Sequence, residues 1–188
     1  MLDGTNVYLI GMMGAGKTTV GKLLSEQLNY RFIDTDVLVE ACARQTITQI
    51  FADSGETGFR QIEHQVLAEV SAYTYLTIAT GGGIVLELMN WAHLRDGIII
   101  WLDVPVEQLY ARLRSSHQPR PLLATPDPLA TLNNIYAQRQ KLYAQADICF
   151  TVDINDSPQK VCDRLLAVLA RKIEPDRLKF PIKFQKKL

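Results

Sequence analysis

A chain of 188 residues, 47% of them hydrophobic and 21% charged, carries enough apolar material for one sizeable core, so a single domain over 1–173 with a basic tail at 174–188 is expected. Its 20 basic and 20 acidic residues cancel, which leaves no global field to recruit nucleic acid or an acidic membrane surface and favours a small-molecule partner. No run of 18 apolar residues and no basic, apolar leader occurs, so the expected setting is the cytoplasm, without a membrane span.

In chain order, Val7–Ile10 reads as a short buried strand that breaks at Gly11. Val20, Leu23, Leu24 and Leu28 then recur at helical spacing. Between them lies Gly11-Met-Met-Gly-Ala-Gly16-Lys17-Thr18, the G-x-x-x-x-G-K-[ST] pattern of a phosphate-binding loop, in the strand-to-helix setting that the pattern needs. Glycines let successive backbone N–H groups converge on an anion, and the helix N-terminus adds partial positive charge. Lys17 is placed to reach β- and γ-phosphates, and the Thr18 hydroxyl to ligate Mg²⁺.

A second strand, Arg31–Ile33, leads into Asp34-Thr-Asp36. Two carboxylates this close repel unless they divide roles, so Asp34 is assigned to the water shell of the metal and Asp36 to an acceptor hydroxyl as orienter or general base. The alternative for Asp36 is a plain helix N-cap. Gly55 to Glu63 opens a helix with Phe59, Ile62, Val66, Leu67 and Val70 as its apolar stripe. On another face, Arg60 and Glu63 form either a local ion pair or a guanidinium steadied to grip a carboxylate. After a third strand at Thr77–Ala79, Gly81-Gly82-Gly83 suits close approach to the backbone.

A fourth strand spans Ile98–Leu102. The stretch Ser115 to Pro128 holds Pro119, Pro121, Pro126 and Pro128 and reads as an exposed mobile loop from which Arg120 can swing over phosphates. Arg139 lies in a helical stretch from Asn133 to Ala146, ahead of a fifth strand at Ile148–Val152. The tail 174–188 has five Lys or Arg against two acids and reads as solvated. Cys42, Cys149 and Cys162 are scattered and are expected to be reduced core residues. His64, His93 and His117 lack metal-ligand spacing. Five strands alternating with helices imply an α/β, three-layer parallel sheet with its site at the C-terminal strand ends.

Taken together, the phosphate loop, Asp34-Thr-Asp36, Gly-Phe-Arg60-x-x-Glu63, Gly81-Gly-Gly83, Arg120-Pro-Leu-Leu and Arg139-x-x-x-Tyr143 resemble the shikimate kinase family from Val7 to about Arg171. The resemblance implies a P-loop kinase fold with a five-stranded parallel sheet, a substrate-binding region near 34–63 and a mobile lid near 113–127. It also implies phosphorylation of the 3-hydroxyl of shikimate by ATP, a step toward chorismate and the aromatic amino acids, with one Mg²⁺. By this carry-over Gly14, Ala15, Gly16, Lys17, Thr18, Thr19, Arg112 and Arg120 bind ATP. Asp36, Arg60, Gly82 and Arg139 bind shikimate, and Lys17, Asp36 and Arg120 act in catalysis. Thr18 ligates the metal directly and Asp34 through water. Arg114 is an alternative to Arg112 against adenine, with the loop Asp153 to Ser157 opposite and Asp156 a marginal contact. A monomer is the default. A same-fold kinase for gluconate or a nucleoside monophosphate, and a non-catalytic ATP-binding protein, remain as alternatives.

Overall fold

Val7–Ile10 (β1) is buried along its whole length, as the central strand of a parallel sheet covered on both faces must be. The computed structural model describes residues 2–116 and 120–179. Around β1 lie Arg31–Asp34 (β2), Leu76–Ala79 (β3), Ile98–Asp103 (β4) and Ile148–Thr151 (β5), in the order β2-β3-β1-β4-β5 and all parallel. The register pairs Leu9 with both Ala79 and Ile100, so β1 ends one residue beyond β3 and β4 runs two residues further than β1.

Lys17–Leu28 (α1) carries the chain from β1 out to the edge strand β2. Thr35–Ala43 (α2) and Ile47–Ser71 (α3) bring it back to β3, Leu88–Leu94 (α4) leads to β4, and Val106–Ser115 (α5) with Pro128–Tyr143 (α6) leads to β5. Right-handed crossovers then place α1 on one face with the last helix, Pro158–Lys179 (α7), which packs against it; α3 and α4 pack together on the other. The order reverses about β1, and such a switch point opens a crevice at the carboxyl ends of the strands. All five expected strands are present.

Several expectations need correction. Asp34 ends β2 and is itself the N-cap of α2, its Oδ1 accepting the N–H of Asp36 at 3.1 Å; Asp36 lies inside the first turn of the helix. α6 begins at Pro128, not Asn133, because a proline at the first helical position loses no hydrogen bond, and Asp127 caps it by accepting from Ala130 N at 3.0 Å. Only Cys162 is a core residue. Cys149 is exposed because the edge strand β5 buries Ile148 and Phe150 and turns the alternate positions outward, and Cys42 lies on the outer side of α2. Within the proline-rich stretch, Pro121–Leu123 forms a short 3-10 turn; residues 117–119 of the expected lid and 180–188 of the tail lie outside the described residues.

Candidate active site

The phosphate loop follows directly from local chemistry. Gly11, Gly14 and Gly16 adopt φ of 135°, 79° and 93°, a region closed to most side chains, which lets the loop coil back and start α1 at Lys17. Lys17 is 9% exposed, and its Nζ donates to the carbonyls of Gly11 and Met12, each at 2.9 Å. Burial pushes its ammonium down to about 8, against the pull of Asp36 and Asp34, with Arg120 and Arg139 adding to the depression. Thr18 and Thr19 are exposed on the cleft side of the first turn, and the Thr18 hydroxyl donates to Asp34 Oδ2 at 2.7 Å.

Two of the three loop glycines after β3 are spaces for the chain's own ionised groups. A Cβ on Gly81 would meet Glu63 Oε1 and, at 2.8 Å, Asp36 Oδ1; a Cβ on Gly83 would strike the guanidinium of Arg60. The intervening Gly82 abuts the phosphate loop, where a Cβ would lie 3.3 Å from Met13 N. Three glycines in a row thus let α3, α2 and the phosphate loop converge. The loop is tied down as well: Gly81 N donates to the buried Thr35 hydroxyl at 3.0 Å, and Gly82 O accepts from Tyr143 Oη at 2.5 Å.

Arg60 and Glu63 are buried, contrary to a simple surface pair. Arg60 Nη1 donates to Glu63 Oε2 at 2.6 Å, while Nη2 and Nε donate to Glu56 Oε1 at 2.9 and 3.3 Å. Burial alone would lower the pKa of Arg60, but Glu63 and Glu56 outweigh it and hold the guanidinium charged. Burial also pushes the Asp36 carboxyl up, reinforced by Asp34 and opposed by Lys17, Arg120 and Arg60, so its oxygen is a better proton acceptor than an exposed aspartate.

Arg139 is 5% exposed and shares a hydrogen bond with Tyr143 one turn further along α6. Tyr143 stacks on Trp101 with ring centroids 5.8 Å apart, and its hydroxyl also touches Met12 Sδ at 3.7 Å. Burial pushes its phenol up to about 12, so it remains a donor to Gly82 at any ordinary pH.

Lys17, Asp36, Arg60, Glu63 and Arg139, with the glycines at 81–83, border one cleft of about 730 Å³, within the range of small-molecule sites. Asp36, Phe51, Phe59, Arg60, Gly82 and Arg139 line it, as do Val152, Pro158 and Val161 and residues 14–19. Arg120, which heads the 3-10 turn, also lines the cleft. Arg112 lines it and donates to Gly14 O at 3.3 Å, whereas Arg114 lies over the Tyr110 ring at 5.8 Å and borders a separate hollow. Asp156 borders the cleft, but its carboxylate is held by Lys160 at 2.8 Å and by Arg164, which makes it a brace for the loop before α7.

Residues 13–170 match the sequence model of the family described as shikimate kinase. This chain belongs to the shikimate kinase family. It is 51% identical over 169 residues to a shikimate kinase of Trichormus variabilis, covering 90% of this chain and 93% of that one. It is 49% identical over 174 residues to a shikimate kinase of Thermosynechococcus vestitus, covering 93% and 94%. A solved structure of shikimate kinase from Acinetobacter baumannii in complex with shikimate superposes with a TM-score of 0.82 at 36% identity, covering 91% of this chain and 94% of that one. A gluconokinase from Sinorhizobium meliloti, at 16% identity and a TM-score of 0.61 over 95% and 99%, shares the fold alone.

Within the shikimate kinase framework, the motif spacing gives Tyr143 no role and does not single out Glu56 or Thr35. Glu56 lies four residues before Arg60, a spacing that signals a helical ion pair. Thr35 has no such signal, since its partner Gly81 is 46 residues away.

Proposed function

We propose that this chain transfers the γ-phosphate of ATP to the 3-hydroxyl of shikimate in the cleft, giving shikimate 3-phosphate and ADP. The observation that carries the reading is the convergence on one cleft of a phosphate loop, a carboxylate with a raised pKa and two buried arginines. Arg60 and Arg139 grip the carboxylate of the acid, and Asp36 and the backbone at Gly82 orient its hydroxyls. Residues 14–19 and Lys17 cradle the phosphates, Arg120 adds charge from above, and Arg112 packs on adenine with Val152 and Pro158 opposite. The acceptor oxygen attacks the γ-phosphorus in line, the bond from that phosphorus to the bridging oxygen breaks, ADP leaves with the electron pair, and the hydroxyl proton passes to Asp36.

Thr18 and Asp34 suit Mg²⁺: a hydroxyl and a carboxylate lie 2.7 Å apart beside the loop, both hard oxygen donors. Thr18 would hold the ion directly and Asp34 through water, and bound there it supplies charge neutralisation on the phosphates. Among the described residues no cluster of three or more His, Cys, Asp or Glu that could hold a metal ion forms. A single chain supplies every group named, so a monomer suffices. Among the described residues no helix is long and apolar enough to cross a membrane. The free thiols of Cys42 and Cys149 suit a reducing cytoplasm.

Coupled ADP release with Mg²⁺ and ATP, in the presence of shikimate, gluconate or AMP, tests the reading. Release is expected with shikimate; release with only a control acceptor overturns the acceptor assignment. Arg139→Ala should raise the KM for shikimate at least about tenfold, the scale for losing one partner of a charge-assisted pair, with ATP affinity little changed. Equal loss for both substrates would contradict its role. The free-enzyme pH profile carries a second check. Lys17 sits near 8, so kcat/KM for ATP should fall as pH rises through that value, while kcat falls only at higher pH because bound phosphates favour the ammonium.

A further inference from the structure

Two carboxylates of the chain hold the guanidinium of Arg60, and they differ in how firmly they are placed. Glu63 takes Nη1 at 2.6 Å with its side chain wholly buried, and it lies against Gly81. Glu56 takes Nη2 at 2.9 Å and Nε at 3.3 Å with 49% of its side chain exposed. The edge formed by Nε and Nη2 is a pair of parallel donors of the kind that grips a carboxylate in two-point fashion. Glu56 thus occupies a seat that fits the carboxylate of a substrate.

The backbone next to Glu56 favours departure. Gly55 leaves the helical range at φ 66° and ψ −172°, which kinks α3 immediately before Glu56, and beyond the adjoining backbone no other part of the chain comes within 4 Å of the position of a Cβ on Gly55. Arg60 does not depend on Glu56 for its orientation. Its other terminal nitrogen is pinned by Glu63, Gly83 lies against its guanidinium, and its Cζ stands 5.0 Å from the Phe59 ring centroid.

We propose that Glu56 is an affinity-setting residue that holds the carboxylate seat of Arg60 and yields it to the carboxylate of the substrate. This rests on the reading of Arg60 as an acid-binding residue. The exchange of one carboxylate for another lowers the affinity of every acid by the same factor. An acid that also engages Asp36, Gly82 and Arg139 still displaces Glu56, whereas a simple monocarboxylate held by Arg60 alone does so poorly; the internal competitor sets the affinity threshold and leaves the ratio between acids unchanged.

Steady-state kinetics of the native chain, Glu56→Gln and Glu56→Ala, with calorimetric binding of benzoate as a bare cyclic carboxylate, provide the test. The KM for shikimate should fall about two- to fivefold in both variants, the scale of a half-exposed ion pair, with the KM for ATP unchanged and the Tm lowered by no more than about 4 °C. Benzoate should bind more tightly by a similar factor. A rise in the KM for shikimate would make Glu56 a direct ligand of the substrate, and an unchanged KM would make it a surface contact; either overturns the proposal. If the native chain does not turn over shikimate, the functional reading fails separately. The benzoate arm still decides the role of Glu56, since binding that is unchanged or weaker in both variants contradicts displacement.

Discussion

Replacing Lys17 with alanine should lower kcat at saturating ATP and shikimate by about 10²–10³-fold, the effect of removing a preorganised donor from developing charge. Its ammonium is buried at the mouth of the phosphate loop, beside Gly11 and Met12 and within the fields of Asp36 and Asp34, where no water can replace it at equal strength. Loss of folding is not the expected cause. A lysine with a native pKa near 8 against 10.5 in the unfolded chain is protonated in both states below about pH 8, so its burial opposes folding there. Between about 8 and 10.5 the unfolded chain binds the extra proton, so this opposition is relieved as pH rises. Lys17→Ala should therefore keep its Tm within a few degrees at pH 7, measured by calorimetry, while steady-state turnover collapses. Turnover within tenfold of the native value would contradict the cradle assignment.

Glu63→Ala should destabilise the fold by about 3 kcal/mol, the lower end for breaking a buried ion pair, and lower the Tm by about 6–12 °C for a chain of this size. The lower end applies because Arg60 keeps Glu56 as a partner on its exposed side. Burial pushes the Glu63 carboxyl up while Arg60 and Arg139 pull it down, so the pair is balanced against its own desolvation and breaks at a cost when one member is lost. The KM for shikimate should rise at least about tenfold as well, because the guanidinium loses the anchor on Nη1. Glu63→Gln, which keeps the shape and one acceptor, should fall between the native chain and alanine in both readouts. A native Tm with an unchanged KM in Glu63→Ala would remove Glu63 from both the core and the site.

The contrast between these two residues also explains what could be read in advance. Local chemistry spoke clearly where it was decisive. The left-handed glycines of the phosphate loop and the alternation of apolar runs with helical stripes need only neighbouring residues, so the five strands, the parallel sheet and the position of Lys17 were legible. Arg60 and Glu63 stand in the sequence as a helical spacing, whereas Arg139 reads by itself as a surface charge and joins them only through the family resemblance. Helix starts were less legible. Pro128 counts against a helix interior but favours a first position, and the cap considered at Asp36 falls instead at Asp34, where β2 ends.

By itself, the sequence determined the α/β class, the nucleotide loop and the identity of the charged residues, because those depend on backbone sterics and hydrophobic period within a few residues. Only the tertiary structure decided which of those residues meet. The three glycines at 81–83 are spaces for Glu63, Asp36, the phosphate loop and Arg60, Tyr143 ties α6 to Gly82 and Met12, and Arg112 rather than Arg114 faces the cleft. Each of these depends on groups from distant parts of the chain brought to the carboxyl ends of the strands by the order β2-β3-β1-β4-β5, and burial there turns ordinary side chains into a site.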